Sequence, residues 1–110
     1  MVTLNTAERR LSTRARPAFD TLCYYRGAVA LVSDLSITGV GLMASAPPAC
    51  GSIVKVELAN DDTSLVISIR VVRVQRMDTG DFFVGAQFVR PLKESEITPF
   101  VTPMADLLAA

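Results

Sequence analysis

The chain has 110 residues, half of them hydrophobic and a fifth charged, with 11 Lys+Arg against 11 Asp+Glu. That length suits one domain with a real core, and zero net charge argues against a polyanion or a membrane surface as partner. The absence of histidine removes the commonest general base, the Ser-His and Cys-His nucleophile pairs and most zinc and iron sites, so no catalytic residue and no metal is expected.

Residues 1–8 carry little pattern and are expected to form a flexible N-terminal arm. They lack the charged and apolar regions of a signal peptide. Apolar runs such as Ala28 to Val32 are too short to span a bilayer. A cytoplasmic protein without membrane insertion is the expectation. Positive charge then gathers in Arg9, Arg10, Arg14 and Arg16, opposed by Glu8 alone. Basic residues run nine Arg to two Lys, a bias that suits planar, bidentate recognition. Pro17 disfavours helix at Arg16 and turns the chain toward an extended path.

From Phe19 onward the texture is β. Leu22 to Arg26 is one strand, broken by Gly27, and Ala28 to Ser33 is a second. Asp34-Leu35-Ser36-Ile37-Thr38-Gly39 has turn residues at both ends and leads into a strand from Val40 to Ala44. After a connection marked by Pro47, Pro48 and Gly51, Ile53 to Leu58 alternates cleanly, with Val54, Val56 and Leu58 on one face. Asn60 to Thr63 reads as a hairpin turn. Leu65 to Gln75 is a long β-branched strand whose polar phase slips between Ser68/Arg70 and Arg73/Gln75, which predicts a bulge. Met77 to Gly80 is a second hairpin turn, and Phe82 to Val89 is the last strand.

Six strands with closely spaced turns make the fold class mainly all-β, a six-stranded antiparallel β-barrel rather than a sandwich. Phe82, Phe83 and Phe88 read as core. Arg70, Arg73 and Arg76 form a stripe that reads as a solvated strand edge. Cys23 and Cys50 have no ligating partners nearby and read as small buried hydrophobes rather than a disulfide. In the tail, Ile97, Phe100, Val101, Met104, Leu107 and Leu108 recur at helical spacing. Thr98-Pro99 and Thr102-Pro103 each look like an N-cap followed by proline, so a short C-terminal helical segment over a barrel mouth is expected.

Two patterns carry the candidate chemistry. In Arg10-Leu11-Ser12-Thr13-Arg14, two guanidiniums four residues apart can clasp one ligand, each offering a donor fork for phosphate and a flat cation for a purine. Taken alone, the pattern equally describes a solvated basic arm. In Asp34-x-Ser36-x-x-Gly39, the carboxylate can accept hydrogen bonds from the N1–H and exocyclic amine of guanine. The serine two positions on lies on the same strand face, and Gly39 permits positive φ and close approach of a flat ligand. A plain β-turn, with Asp and Ser bonding local backbone, accounts for the same residues.

Together, in this order and about twenty residues apart, the two patterns resemble the signature of the PilZ domain family. The resemblance runs from about residue 8 to 90. It includes Glu8-Arg9-Arg10 leading into RxxxR, Asp34 to Gly41 after the second strand, and Gly85-Ala86-Gln87-Phe88 in the last. It implies a six-stranded barrel followed by a helix, with residues 1–8 as arm, 9–92 as barrel including the Arg loop, and 93–110 as helical tail. It also implies a non-enzymatic receptor for cyclic di-GMP, a bacterial second messenger, with no cofactor beyond that ligand. Arg10 and Arg14 would contact phosphates and guanine, Asp34 and Ser36 would read a guanine edge, Gly39 would shape the turn, and Arg9 would add a contact. A ligand that orders residues 8–16 against the barrel would supply a switch for a downstream protein partner. Two rivals stay open: a PilZ-like adaptor acting through protein contacts alone, and a small barrel binding RNA or single-stranded DNA.

Overall fold

The structure, a computed structural model, describes residues 17–18 and 20–101. Six strands, β1 (Leu22–Tyr25), β2 (Ala28–Leu35), β3 (Gly39–Ala44), β4 (Ile53–Ala59), β5 (Ser64–Arg76) and β6 (Phe82–Phe88), are followed by one helical turn, α1 (Glu94–Ile97), and a 3₁₀ turn at Thr98–Phe100. The strands close into a barrel in the order β1-β2-β3-β6-β5-β4, every pair antiparallel. The fold class, including the short helical segment, is the one the sequence indicates.

Alternation decides what faces inward. Val54, Val56 and Leu58 of β4, Ile67, Ile69 and Val71 of β5, and Val84, Ala86 and Phe88 of β6 are buried, joined by Cys23, Leu35, Val40 and Leu42. Branched side chains at every second position fill a small barrel without a lumen. The β1–β2 connection is a two-residue hairpin in which Arg26 (φ 50°) and Gly27 (φ 79°) both have positive φ. Such turns match the right-handed twist of the flanking strands; Gly27 takes this conformation without strain, whereas Arg26 is an uncommon occupant.

Closure corrects one sequence reading. Arg70, Arg73 and Arg76 do not lie on a sheet edge, because β5 is paired on both sides, with β4 and with β6. The β5 bulge falls between Val71 and Arg73, where the phase slip places it. A second bulge, between Val32 and Asp34 of β2, has no counterpart in the sequence reading, and β2 runs on through Asp34 and Leu35 instead of ending at Ser33. Cys50 is exposed, unlike the buried Cys23, and both thiols are free. Burial pushes the Cys23 thiol up to about 12.

One end of the barrel is plugged by the residues after β6. Leu92, Ile97, Phe100 and Val101 join the core, with Ile97 and Phe100 essentially inaccessible. The plug is pinned by polar contacts. Thr21 Oγ1 donates to the Phe100 carbonyl (3.0 Å), Asn60 Nδ2 to that of Pro99 (2.8 Å), and the Leu92 N–H to that of Ile37 (2.8 Å). Pro17 and Val101 form an isolated antiparallel bridge, and the Ala18 N–H donates to the Phe100 carbonyl (2.9 Å). The first and last described residues therefore leave the barrel together. The helix begins at Glu94, earlier than the Thr98-Pro99 cap expected from sequence. Glu96 at its third position accepts from the Lys93 N–H (2.8 Å), so the carboxylate caps the turn's start. Arg90 clamps the same carboxylate with both terminal nitrogens, at 2.9 and 2.8 Å.

Candidate functional site

The segment Asp34 to Gly39 joins β2 to β3 at the plugged end. Its turn is closed by Ser36. The Ser36 N–H donates to the Gly39 carbonyl (2.9 Å), and Ser36 Oγ accepts from the N–H groups of Thr38 and Gly39 (both 3.2 Å) while contacting Thr38 Oγ1 (3.1 Å). Ser36 is 1% exposed, so its hydroxyl lies within the turn. Gly39 is not among the described residues of positive φ. The side-chain hydroxyl together with the Ser36–Gly39 backbone bond closes the turn without a left-handed residue.

Asp34 reaches the outer face because of the β2 bulge. Val32 packs against the core and Leu35 is fully buried; strict alternation cannot send both inward, and the extra residue of the bulge lets Ser33 and Asp34 face out. Ser33 Oγ donates to Asp34 Oδ2 at 3.4 Å. The β5 bulge has the same effect on Arg73. Val71 faces the core, so regular alternation would turn Arg73 inward, yet Arg73 is exposed.

The two bulges deliver a carboxylate and a guanidinium to one row across four strands. Asp34 lies opposite Gly41, Gly41 opposite Gly85, and Gly85 opposite Arg73. The two middle positions have no side chain, and their bareness is used. A Cβ on Gly41 would stand 2.8 Å from Asp34 Oδ2, 2.9 Å from Ser33 Oγ and 3.0 Å from Phe83 Cε1, and a Cβ on Gly85 3.5 Å from Phe83 Cε2. The Phe83 ring thus reaches over both glycines. It is half-buried on the outer face, not in the core as its sequence context suggests. The Arg73 guanidinium lies over that ring, 5.0 Å from its centroid, a cation–π arrangement. Asp34, Val72, Arg73, Phe83 and Gly85 line an open cleft of about 270 Å³.

A larger groove of about 450 Å³ lies between Lys55, Val66, Ser68, Val89 and Arg90. It lacks a carboxylate and an aromatic face, and Arg90 is committed to Glu96, so the smaller cleft holds the richer chemistry. Among the described residues no group of three His, Cys, Asp or Glu could hold a metal, and no helix is long and apolar enough to cross a membrane. Arg9, Arg10 and Arg14 lie outside the described residues. Of the sequence-derived candidates, the structure places Asp34, Ser36 and Gly39 together in one hairpin. It adds Gly41, Phe83, Gly85 and Arg73, which strand pairing rather than spacing brings to Asp34.

A family model, the PilZ domain, matches residues 8–101. Among curated proteins no match is found. Among solved structures, the barrel is similar to that of K. pneumonia MrkH in its apo state, with a TM-score of 0.55 and 18% identity over 76% of this chain and 42% of that chain. At that identity the likeness is one of fold, and the chain spans less than half the length of MrkH.

Proposed function

The chain belongs to the PilZ domain family, a family of cyclic di-GMP-binding domains, and from that premise we propose that it is a receptor for cyclic di-GMP in the bacterial cytoplasm. Asp34 takes the N1–H and N2–H donors of one guanine, for which a carboxylate is the matching acceptor. Ser36 holds the turn that carries Asp34, and Gly39 and Gly41 keep the neighbouring strand face bare. Arg10 and Arg14 take the phosphates, with Arg9 adding a contact.

The observation that carries this reading is the placement of Asp34. A bulge re-aims it to the outer face, next to glycines, at the penultimate residue of β2. That strand ends where Pro17 pairs with Val101 and Leu92 pairs with Ile37. Arg14 is three residues before Pro17, within about 10 Å of chain length, so the basic segment is tethered to the end of the barrel that bears the Asp34 hairpin. Ligand binding orders residues 8–16 against the barrel, and the ordered segment is what a partner protein reads.

The experiment is isothermal titration of cyclic di-GMP into the protein and into Arg10→Ala and Asp34→Ala. Saturable binding lost in both variants supports the receptor. A folded protein that takes up no ligand would leave the barrel as a protein adaptor, a reading favoured by the exposure of Val29 (54%) and Leu31 (62%) on β2. Hydrogen exchange over residues 8–16 tests the switch, which fails if protection there is unchanged by ligand.

A further inference from the structure

We infer that the cleft between Asp34 and Arg73 is a guanine seat in which Phe83 is the stacking platform and Arg73 reads the second edge of the base. This rests on the receptor reading above and deepens it, because the two added residues belong to neither sequence pattern.

Three observations converge. The first is the register. Asp34, Gly41, Gly85 and Arg73 form one row over β2, β3, β6 and β5, so acid and base stand three strand spacings apart, about 14 Å between backbones. Only glycines lie between them. Their bareness lets the Phe83 ring lie over them, and a Cβ on Gly41 would come within 3.0 Å of it.

The second is that two independent irregularities supply the two charges. A bulge is a local disruption of pairing, and here each one turns outward a charged side chain that alternation would bury. Both land on the same row, although they lie on strands separated by two others.

The third is the Phe83–Arg73 pair. Phe83 projects from the next outward position of β6, and its ring leans over the glycine floor that Asp34 Oδ2 also borders, with the Arg73 guanidinium over its face. An aromatic face, a carboxylate at its rim and a planar cation within one open cleft match one base in particular. Guanine presents the N1–H and N2–H donors on one edge and the O6 and N7 acceptors on the next. Adenine presents an acceptor at N1 and would face Asp34 with a lone pair. In the seat, the base stacks on Phe83, its donor edge meets Asp34, and Arg73 slides from the ring face to O6 and N7, the bidentate pairing that arginine makes with this base. Arg73 thus covers the platform until the base takes its place.

The test uses titration of the whole chain with cyclic di-GMP and with its analogue carrying 7-deazaguanine, which lacks N7. Wild type should bind the analogue about tenfold more weakly. Arg73→Ala should weaken cyclic di-GMP by about tenfold and bind both ligands alike, because the group that reads N7 is gone. Arg73→Lys should behave like the alanine variant, since it keeps the charge but not the planar fork. Phe83→Leu, which keeps an apolar cover on the glycines and is checked for an unchanged melting temperature, should lose about tenfold toward both ligands. Arg76→Ala, opposite Phe82 and outside the cleft, should bind as wild type does. Cyclic di-GMP binding that depends on Arg10 and Asp34 but is untouched by Arg73→Ala and Phe83→Leu would overturn the seat and leave the receptor standing. Absence of binding by wild type would overturn both.

Discussion

Gly41→Ala tests whether the bare floor serves a purpose. Its Cβ would come to 2.8–3.0 Å from three atoms, all on side chains. Ordinary contact begins near 3.4 Å, so Asp34 Oδ2 must retreat by about 0.6 Å and Phe83 Cε1 by about 0.4 Å. Because those are side-chain ends that can rotate, the stability cost belongs at the lower end of the overpacking range, about 1 kcal/mol. That is a fall in melting temperature of about 4–8 °C for a domain of this size. The larger effect falls on the ligand. Displacing the carboxylate by that distance spoils hydrogen bonds to a charged acceptor, each worth about 1.5–3 kcal/mol, so affinity for cyclic di-GMP should drop at least about tenfold. Gly85→Ala is the control within the same row, because its Cβ meets Phe83 and Arg73 at ordinary distances of 3.5 and 3.7 Å. Thermal unfolding and titration calorimetry read the two effects separately. Equal behaviour of the two variants, or a Gly41→Ala protein with full affinity, would refute the reasoning.

Four further outcomes are expected. Phe100→Ala empties the plug of its largest buried side chain and should cost about 3–5 kcal/mol, measured by urea denaturation. Ser36→Ala removes the acceptor of two turn N–H groups and should cost about 1–3 kcal/mol by the same assay. Glu96 is held down at about 2, chiefly by the Arg90 hydrogen bonds and then by the Lys93 N–H. A depressed carboxyl adds stability that is complete above its ordinary value of 4.5 and is lost as pH falls toward 2, so Glu96→Gln should flatten the acid limb of a stability–pH curve between those values. Thiol labelling of the native protein should modify exposed Cys50 and spare Cys23, which is buried and raised to about 12; equal rates at both would contradict the burial.

The barrel was legible in the sequence because its strands alternate and its turns carry Asn, Asp and Gly. Even the β5 bulge is visible, since Arg70 and Arg73 cannot share a face at regular period. The β2 bulge left no such trace: Ser33 and Asp34 are polar neighbours at the start of what looks like a turn, and nothing local marks them as the end of a strand. Phe83 misleads for a related reason. An aromatic residue in an apolar strand reads as core, and only the pairing of Gly41 with Gly85 reveals a bare outer patch for its ring to cover. Arg73 reads as an edge residue because single-sequence patterns give strand number but not strand order, and in a closed barrel there is no edge. Cys50 follows Pro47 and Pro48 in a surface connection, where composition says little about which side faces water.

The Pro17–Val101 bridge makes the barrel a cassette. A chain that arrives and departs at adjacent points can be spliced into a host protein at a single surface loop, with little change in the spacing of the host's own segments. The opposite end carries the Arg26–Gly27 and Met77–Gly80 turns, the natural places to reopen a circularly permuted version. Force drawn through positions 17 and 101 would meet that bridge and the Ala18–Phe100 hydrogen bond before it reached the ladder of six strands.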